Sequence, residues 1–271
     1  MDPGAQIRVL CIGAHPDDCE LKFGGTGAKL AGMGHAVKFL SVTNGDAGHH
    51  LLGREELATV RAGEVSDAAE RLGIAASEAL PNHDGEVLPS IELRNELVRQ
   101  IRSWNADVVL THRPYDYHPD HRYTSQLVQD SAYMVLVPNV CPETPPLRTN
   151  PIYMYLEDEF QKPLPFTPDV AVDIDCAWER KLAPLDAHSS QFYEWLPWID
   201  GRSAEVPATA AERRAWLAEN WTSPLTAEVR AALRARYGES RAQTIVRAEA
   251  FELCEYGRRP SPRELDQIFP R

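Results

Sequence analysis

Two His-Pro-Asp tetrads, far apart in the chain, each close an apolar run. Residues 15–18 read His15-Pro-Asp-Asp18, after Ile7-Arg-Val-Leu-Cys-Ile-Gly13. Residues 118–121 read His118-Pro-Asp-His121, after Asp107-Val-Val-Leu-Thr111. Short apolar runs of this kind predict buried strands, so both tetrads fall at strand C-termini, where open α/β sheets place their ligands. Two histidines and a carboxylate brought together there make a three-ligand metal site with room for water. A lone His-Pro-Asp-Asp is weak evidence, since Asp-Pro turns commonly end strands. Two such tetrads after two separate strands carry more weight.

The rest of the first half supports a Rossmann-like sheet. Gly24-Gly-Thr-Gly27 leads into a helix, and Ala36-Val-Lys-Phe-Leu-Ser-Val42 reads as a second strand. Helical spacing over 54–73 ends at Gly73, a short extended piece lies near Ala79, and 90–104 reads as a further helix. After the Asp107 strand, a helix is expected from about His121 to Val135. This alternation predicts a three-layer αβα fold with a mostly parallel, right-handedly connected sheet. Eight of the 21 prolines lie between Val137 and Pro168, a density that excludes a central strand and suggests a cover over the cleft or a surface excursion. Strands are expected at Ile152–Leu156 and Val170–Asp173, a helix from about Asp175 to His188, and two more helices within 209–243. The expected organisation is a core over 1–191, including the proline-rich segment 137–168, and a mostly helical extension over 192–271 packed on it.

Composition narrows the partners. A formal net charge of -12 without a basic run argues against nucleic acid and anionic membranes. Met1–Gln6 leads straight into the first strand without a basic and apolar leader, and no run reaches membrane-span length. The five cysteines, odd in number and without a CxxC, read as reduced thiols. Together these predict a cytoplasmic protein with a small-molecule substrate, its self-association left open. Gly24-Gly-Thr-Gly27 fails the dinucleotide fingerprint, because His15, Asp17 and Asp18 enter the first turn where glycines should admit a pyrophosphate. Those glycines fit close helix–strand packing instead. His49, His50 and His83 sit in loops and read as solvated or substrate-facing. Phe192, Tyr193, Trp195 and Trp198 form an aromatic cluster that suits packing or sugar stacking.

The ordered set of motifs resembles the LmbE-like (PIG-L) deacetylase family. It comprises Ala14-His-Pro-Asp-Asp18 with Gly24-Gly-Thr26, Thr43-Asn-Gly-Asp-Ala-Gly48, Arg61-x-x-Glu64 before Leu72-Gly73, and His118-Pro-Asp-His121. Lys181-x-x-Pro-Leu-Asp-Ala-His188-Ser-Ser-Gln191 extends the resemblance, which covers roughly 7–191. It implies a Rossmann-like fold and zinc-dependent removal of N-acetyl groups, often from glucosamine derivatives. Residue by residue, it implies His15, Asp18 and His121 as zinc ligands, Asp17 as general base and His118 as the group assisting the oxyanion or leaving group. It further implies Asp120 as a carboxylate that orients a histidine, with Arg61 and Asp84 contacting substrate. Asp46 replaces a common Glu, which bears on recognition rather than chemistry.

The chemistry asks for such a set on its own terms. An amide is a poor electrophile with a poor leaving group, so hydrolysis needs Lewis acidity, a base for water and a donor for the oxyanion. Other readings share some residues. An amidase of a thiol conjugate or another non-sugar amide would use the same machinery. A non-haem Fe(II) oxygenase also uses two histidines and one carboxylate, but an extra carboxylate beside the site suits hydrolysis better. A silent sugar- or nucleotide-binding module would not need Asp17 and His118 alongside three ligands.

Overall fold

A computed structural model describes residues 5–271. The first half alternates as its hydrophobic pattern predicts: β1 (Arg8–Gly13), α1 (Asp18–Gly32), β2 (Ala36–Thr43), α2 (Arg54–Leu72), β3 (Ala76–Asn82), α3 (Ile91–Trp104), β4 (Val108–Thr111) and α4 (Pro119–Met134). Then follow β5 (Ile152–Leu156), β6 (Val170–Asp173), α5 (Trp178–Ala187), a π-helical turn at Ser190–Trp195 and the short α6 (Leu196–Ile199). The chain closes with α7 (Ala210–Asn220), α8 (Ala227–Tyr237), α9 (Glu239–Thr244), β7 (Ala248–Cys254) and α10 (Pro262–Ile268).

The seven strands order as β3-β2-β1-β4-β5-β7-β6. β1 to β5 are parallel, and β7 runs antiparallel to both β5 and β6. Chain order reverses direction between β1 and β4, which makes a crevice at their C-terminal ends. Both tetrads open on that crevice.

Alternate residues of the strands build two apolar layers. Val9, Cys11, Val37 and Phe39 face α1 and α5, while Leu10, Ile12, Leu40 and Val42 face α3 and α4. Burial on both faces is what gives the central strands their unbroken apolar runs. Gly25 lets α1 lie close to the sheet: a Cβ there would come within 2.9 Å of the Ile174 side chain. Glu249 on β7 accepts from the N–H groups of Gly25 and Thr26 at 2.9 and 2.7 Å and pairs with Lys181 at 2.7 Å.

The second half departs from expectation in two places. The segment 192–271 is mostly helical but also supplies β7, inserted between β5 and β6, so it completes the sheet as well as packing on it. The 209–243 stretch holds α7, α8 and most of α9 rather than two helices. The proline-rich segment divides in function. Its first part is pinned away from the crevice by buried Arg102, which donates to six carbonyls of the C-terminal end of α4 and the loop beyond it, from Met134 to Thr144. Leu156 at the end of β5 and the stretch just after it, Glu157–Phe160, line the cleft. Among the described residues, no helix is long and apolar enough to cross a membrane.

Candidate metal centre

The His15-Pro-Asp-Asp18 turn is built so that consecutive residues point different ways. Asp17 has φ 111°, a conformation that costs a non-glycine residue energy and clusters at functional sites. It precedes the first turn of α1, and its carbonyl accepts from Leu21 N–H at 2.8 Å. Asp18 folds back on the strand end, where Oδ2 accepts from the N–H groups of Ala14 (2.9 Å) and His15 (2.8 Å). Gly13 makes room for this: a Cβ there would lie 2.7 Å from the Asp18 Cβ.

Donor atoms of three side chains converge beside this turn. His15 Nδ1 lies 3.2 Å from His121 Nε2 and 3.6 Å from Asp18 Oδ2, and His121 Nε2 lies 3.5 Å from Asp18 Oδ1. Bond lengths of about 2.0–2.2 Å to a tetrahedral ion place its ligand atoms roughly 3.3 Å apart. The spacing is close to that of a coordinated set, and His15/His118/His121 and Asp18/His112/His121 are further groups here close enough to hold an ion. Each histidine also turns its other nitrogen to a carboxylate: His15 Nε2 lies 3.1 Å from Asp84 and 3.3 Å from Asp120, and His121 Nδ1 lies 3.0 Å from Asp116. Such partners fix the ring orientation of metal-facing histidines.

The remaining expected residues gather at the same place. Asp120 is fully buried, and its carboxylate accepts from Gly85 N–H (2.7 Å) and Val87 N–H (3.2 Å) as well as facing His15. Its own N–H donates to His118 Nδ1 at 3.2 Å. Asp120 thus touches both histidines, one through its carboxylate and the other through its backbone. With Nδ1 accepting, a neutral His118 carries its proton on Nε2. Burial, and the His15 and His121 charges beside it, hold the His118 ring below its usual basicity. Arg61 is only 1% exposed and donates to Asp17 Oδ2 at 3.0 Å and to the Pro16 carbonyl. Its Nε and Nη1 make no hydrogen bond among the described residues, although Nη1 lies 3.9 Å from Glu64 Oε2 and the side chain lines the cavity. Burial pushes the Asp17 carboxyl up, with Arg61 pulling against it. Buried Asp46 accepts from His83, Arg54 and the Asp84 N–H, so it organises the loop that presents Asp84.

Two residues here were not singled out from the sequence. His112 Nε2 sits 3.1 Å from Asp18 Oδ2, with its ring stacked on His121 at 4.1 Å between centroids. Asp116 is the partner of His121 and also accepts from His118 N–H at 2.9 Å. A signal existed: both lie within the His112-Arg-Pro-Tyr-Asp116 stretch between β4 and the second tetrad. Of the aromatic cluster, Phe192 and Tyr193 are core, Trp195 lines the cavity, and Trp198 stacks on Trp195 and His50. Cys19 is buried, with its thiol toward the Cys11 carbonyl. The cavity over the cluster measures about 520 Å³ and is closed on one side by Glu157–Phe160 and on another by Gln191, Trp195 and Trp221.

This fold and cluster have known relatives. The family model described as PIG-L, GlcNAc-PI de-N-acetylase, matches residues 10–132. Diacetylchitobiose deacetylase of Thermococcus kodakarensis is 33% identical over 71% of this chain and 74% of its own length. Mycothiol S-conjugate amidase of Streptomyces coelicolor is 30% identical over 45% of this chain and 50% of its own. The solved N,N'-diacetylchitobiose deacetylase of Pyrococcus horikoshii superposes with a TM-score of 0.67 at 27% identity, covering 92% of this chain and 84% of that one. The chain belongs to the PIG-L (LmbE-like) family.

Proposed function

We propose that this protein is a metal-dependent hydrolase that removes an N-acetyl group from an N-acetylglucosamine-type small molecule, with one zinc ion held by His15, Asp18 and His121. The observation that carries this reading is the convergence of those three side chains, whose donor atoms approach pairwise to 3.2–3.6 Å through both Asp18 oxygens, with Asp17 adjacent and not among them. The relatives named diacetylchitobiose deacetylase support the acyl-sugar class. Zinc, when bound at such a site, supplies Lewis acidity that polarises the amide carbonyl and lowers the pKa of water toward about 7.

The chain's own residues do the rest. Asp17, raised by burial and steadied by Arg61, takes the proton of the attacking water. His118, with Nδ1 committed to the Asp120 N–H, offers Nε2–H to the oxyanion as the carbonyl carbon becomes tetrahedral. The proton taken by Asp17 is then available to the departing amine. Asp120, Asp84 and Asp116 keep His15 and His121 oriented. Trp195 and the Glu157–Phe160 stretch narrow the cavity and limit water around the amide.

Acetate release from N,N'-diacetylchitobiose by the zinc-loaded protein tests the reading. Release that a chelator abolishes and zinc restores is expected. A metal-replete protein that frees no acetate from any N-acetylglucosamine derivative would remove it.

A further inference from the structure

The C-terminal end of β5 opens on the cavity, as do those of β1, β3 and β4, and it delivers Glu157 to the wall. Glu157 is only 9% exposed, yet its carboxyl has no hydrogen-bond or ion-pair partner among the described residues. A carboxylate buried to that degree without a protein donor carries a desolvation cost that only what enters the cavity beside it can offset by hydrogen bonding. The next residue shows the ordinary remedy: Asp158 pairs with Arg113 at 2.9 Å and accepts from Phe160 N–H at 3.0 Å. Burial pushes the Glu157 carboxyl up to about 7, with Lys22 and Lys181 pulling it down and Glu249 and Glu159 pushing it further up.

The cavity around it is acidic. Seven carboxyl side chains line it against three cations, Lys22, Arg61 and Arg113. Two of those cations are already engaged, Arg61 by Asp17 and Arg113 by Asp158. A phosphate or carboxylate entering beside Glu157 would meet this excess of like charge, with Lys22 the one lining Lys or Arg not already held by a carboxylate among the described residues. A hydroxyl or ammonium would supply the donor that Glu157 lacks.

We propose that Glu157 is a specificity-determining residue: it takes a hydroxyl or ammonium group on the part of the substrate away from the acyl group, and so selects neutral or amine-bearing saccharides over phosphate- or carboxylate-bearing ones. The inference rests on the N-acyl sugar reading above and names the substrate class within it.

Three glycosides of N-acetylglucosamine test it, bearing methyl, 2-aminoethyl or phosphate at the anomeric oxygen. Their Kd values are measured by calorimetry on the zinc-loaded full chain carrying Asp17→Asn, above neutral pH, so that binding is read without turnover. The aminoethyl glycoside should bind tightest and the phosphate roughly tenfold more weakly than the methyl glycoside, a difference of about 1.4 kcal/mol. Adding Glu157→Gln should bring all three within about threefold of one another. Glu157→Met, of similar volume, should flatten the series in the same way if the Gln variant folds poorly. A phosphate that binds as well as the methyl glycoside, an order that survives both substitutions, or no binding of any of the three overturns the inference. Acetate release is followed separately with Asp17 intact. Its absence for all three glycosides counts against the hydrolase reading, while the Kd series judges Glu157.

Discussion

Asp18 on the floor of the cavity and Glu157 on its β5 wall are carboxyls near strand ends, nine-tenths buried in each case, and they behave in opposite ways. Burial alone would push both up. At Asp18, His121, His112 and His15 overcome it and hold the carboxyl well below its usual range. Its Oδ2 also accepts two backbone N–H groups from the strand end. At Glu157 no donor answers the burial, and the carboxyl rises to about 7. Asp17 and Asp158 fall between the two, each paired with an arginine and each still raised by burial. The floor has its donors built in and is organised before any ligand arrives. The wall leaves one group without a protein donor, where water or a ligand in the cavity supplies the bond.

The largest test of that contrast is at the floor. His15→Ala or His121→Ala should lose bound metal and activity together, down to the level of the metal-stripped protein, as read by elemental analysis and acetate release. Stoichiometric metal in either variant would break the assignment. Asp17→Asn should keep the metal and the fold while kcat falls by about 10²–10⁴-fold, the usual loss of a general base. Near-normal kcat in that metal-replete protein would place the base elsewhere. His118→Ala should lower kcat by about 10²–10³-fold with KM nearly unchanged, as expected for a donor that acts only in the transition state.

The smallest effect belongs to the wall, and its sign is opposite to that of an ordinary stabilising carboxylate. Glu157 has its folded pKa raised from 4.5 to about 7, so the native state binds more protons than the unfolded chain between those values. Its contribution to stability therefore falls as pH rises through that window. Glu157→Gln should leave stability unchanged near the lower end and raise it above neutral pH by up to about 3 kcal/mol, at 1.36 kcal/mol per pKa unit. Urea unfolding of both proteins across that range reads it. Parallel pH profiles would show that the Glu157 carboxyl is solvated or paired after all.

Much of this contrast was visible in the chain itself. β1 and β4 are buried on both faces, so they read as apolar runs, and the tetrads that follow them mark the crevice. Glu157 had a similar signal, a carboxylate directly after the apolar Ile152–Leu156 run, but a single acid at a strand end is commonplace. His112 stood one residue beyond the predicted end of β4 and went unnoticed for the same reason. Arg102 looks like any polar position of an amphipathic helix, and nothing local reveals the six carbonyls it gathers. β7 escapes a reading of the sequence because Ala248–Cys254 follows Ala-, Arg- and Glu-rich helices and reads Ala-Glu-Ala-Phe-Glu-Leu-Cys, without a regular alternation. Its strand character comes from pairing with β5 and β6, far away in sequence.

By itself the sequence determined the alternating architecture, the crevice at the ends of β1 and β4, and the residue types that meet there. Those features follow from periodicity and from motifs only a few residues long, which act locally. Tertiary structure alone decided how each group is used. It turned His15 Nδ1 and His121 Nε2 toward one point, bound Arg61 to Asp17, split Asp120 between two histidines and left Glu157 without a partner. The physical reason is that hydrogen bonding and desolvation depend on which distant atoms come within about 3 Å, and no spacing along the chain records that.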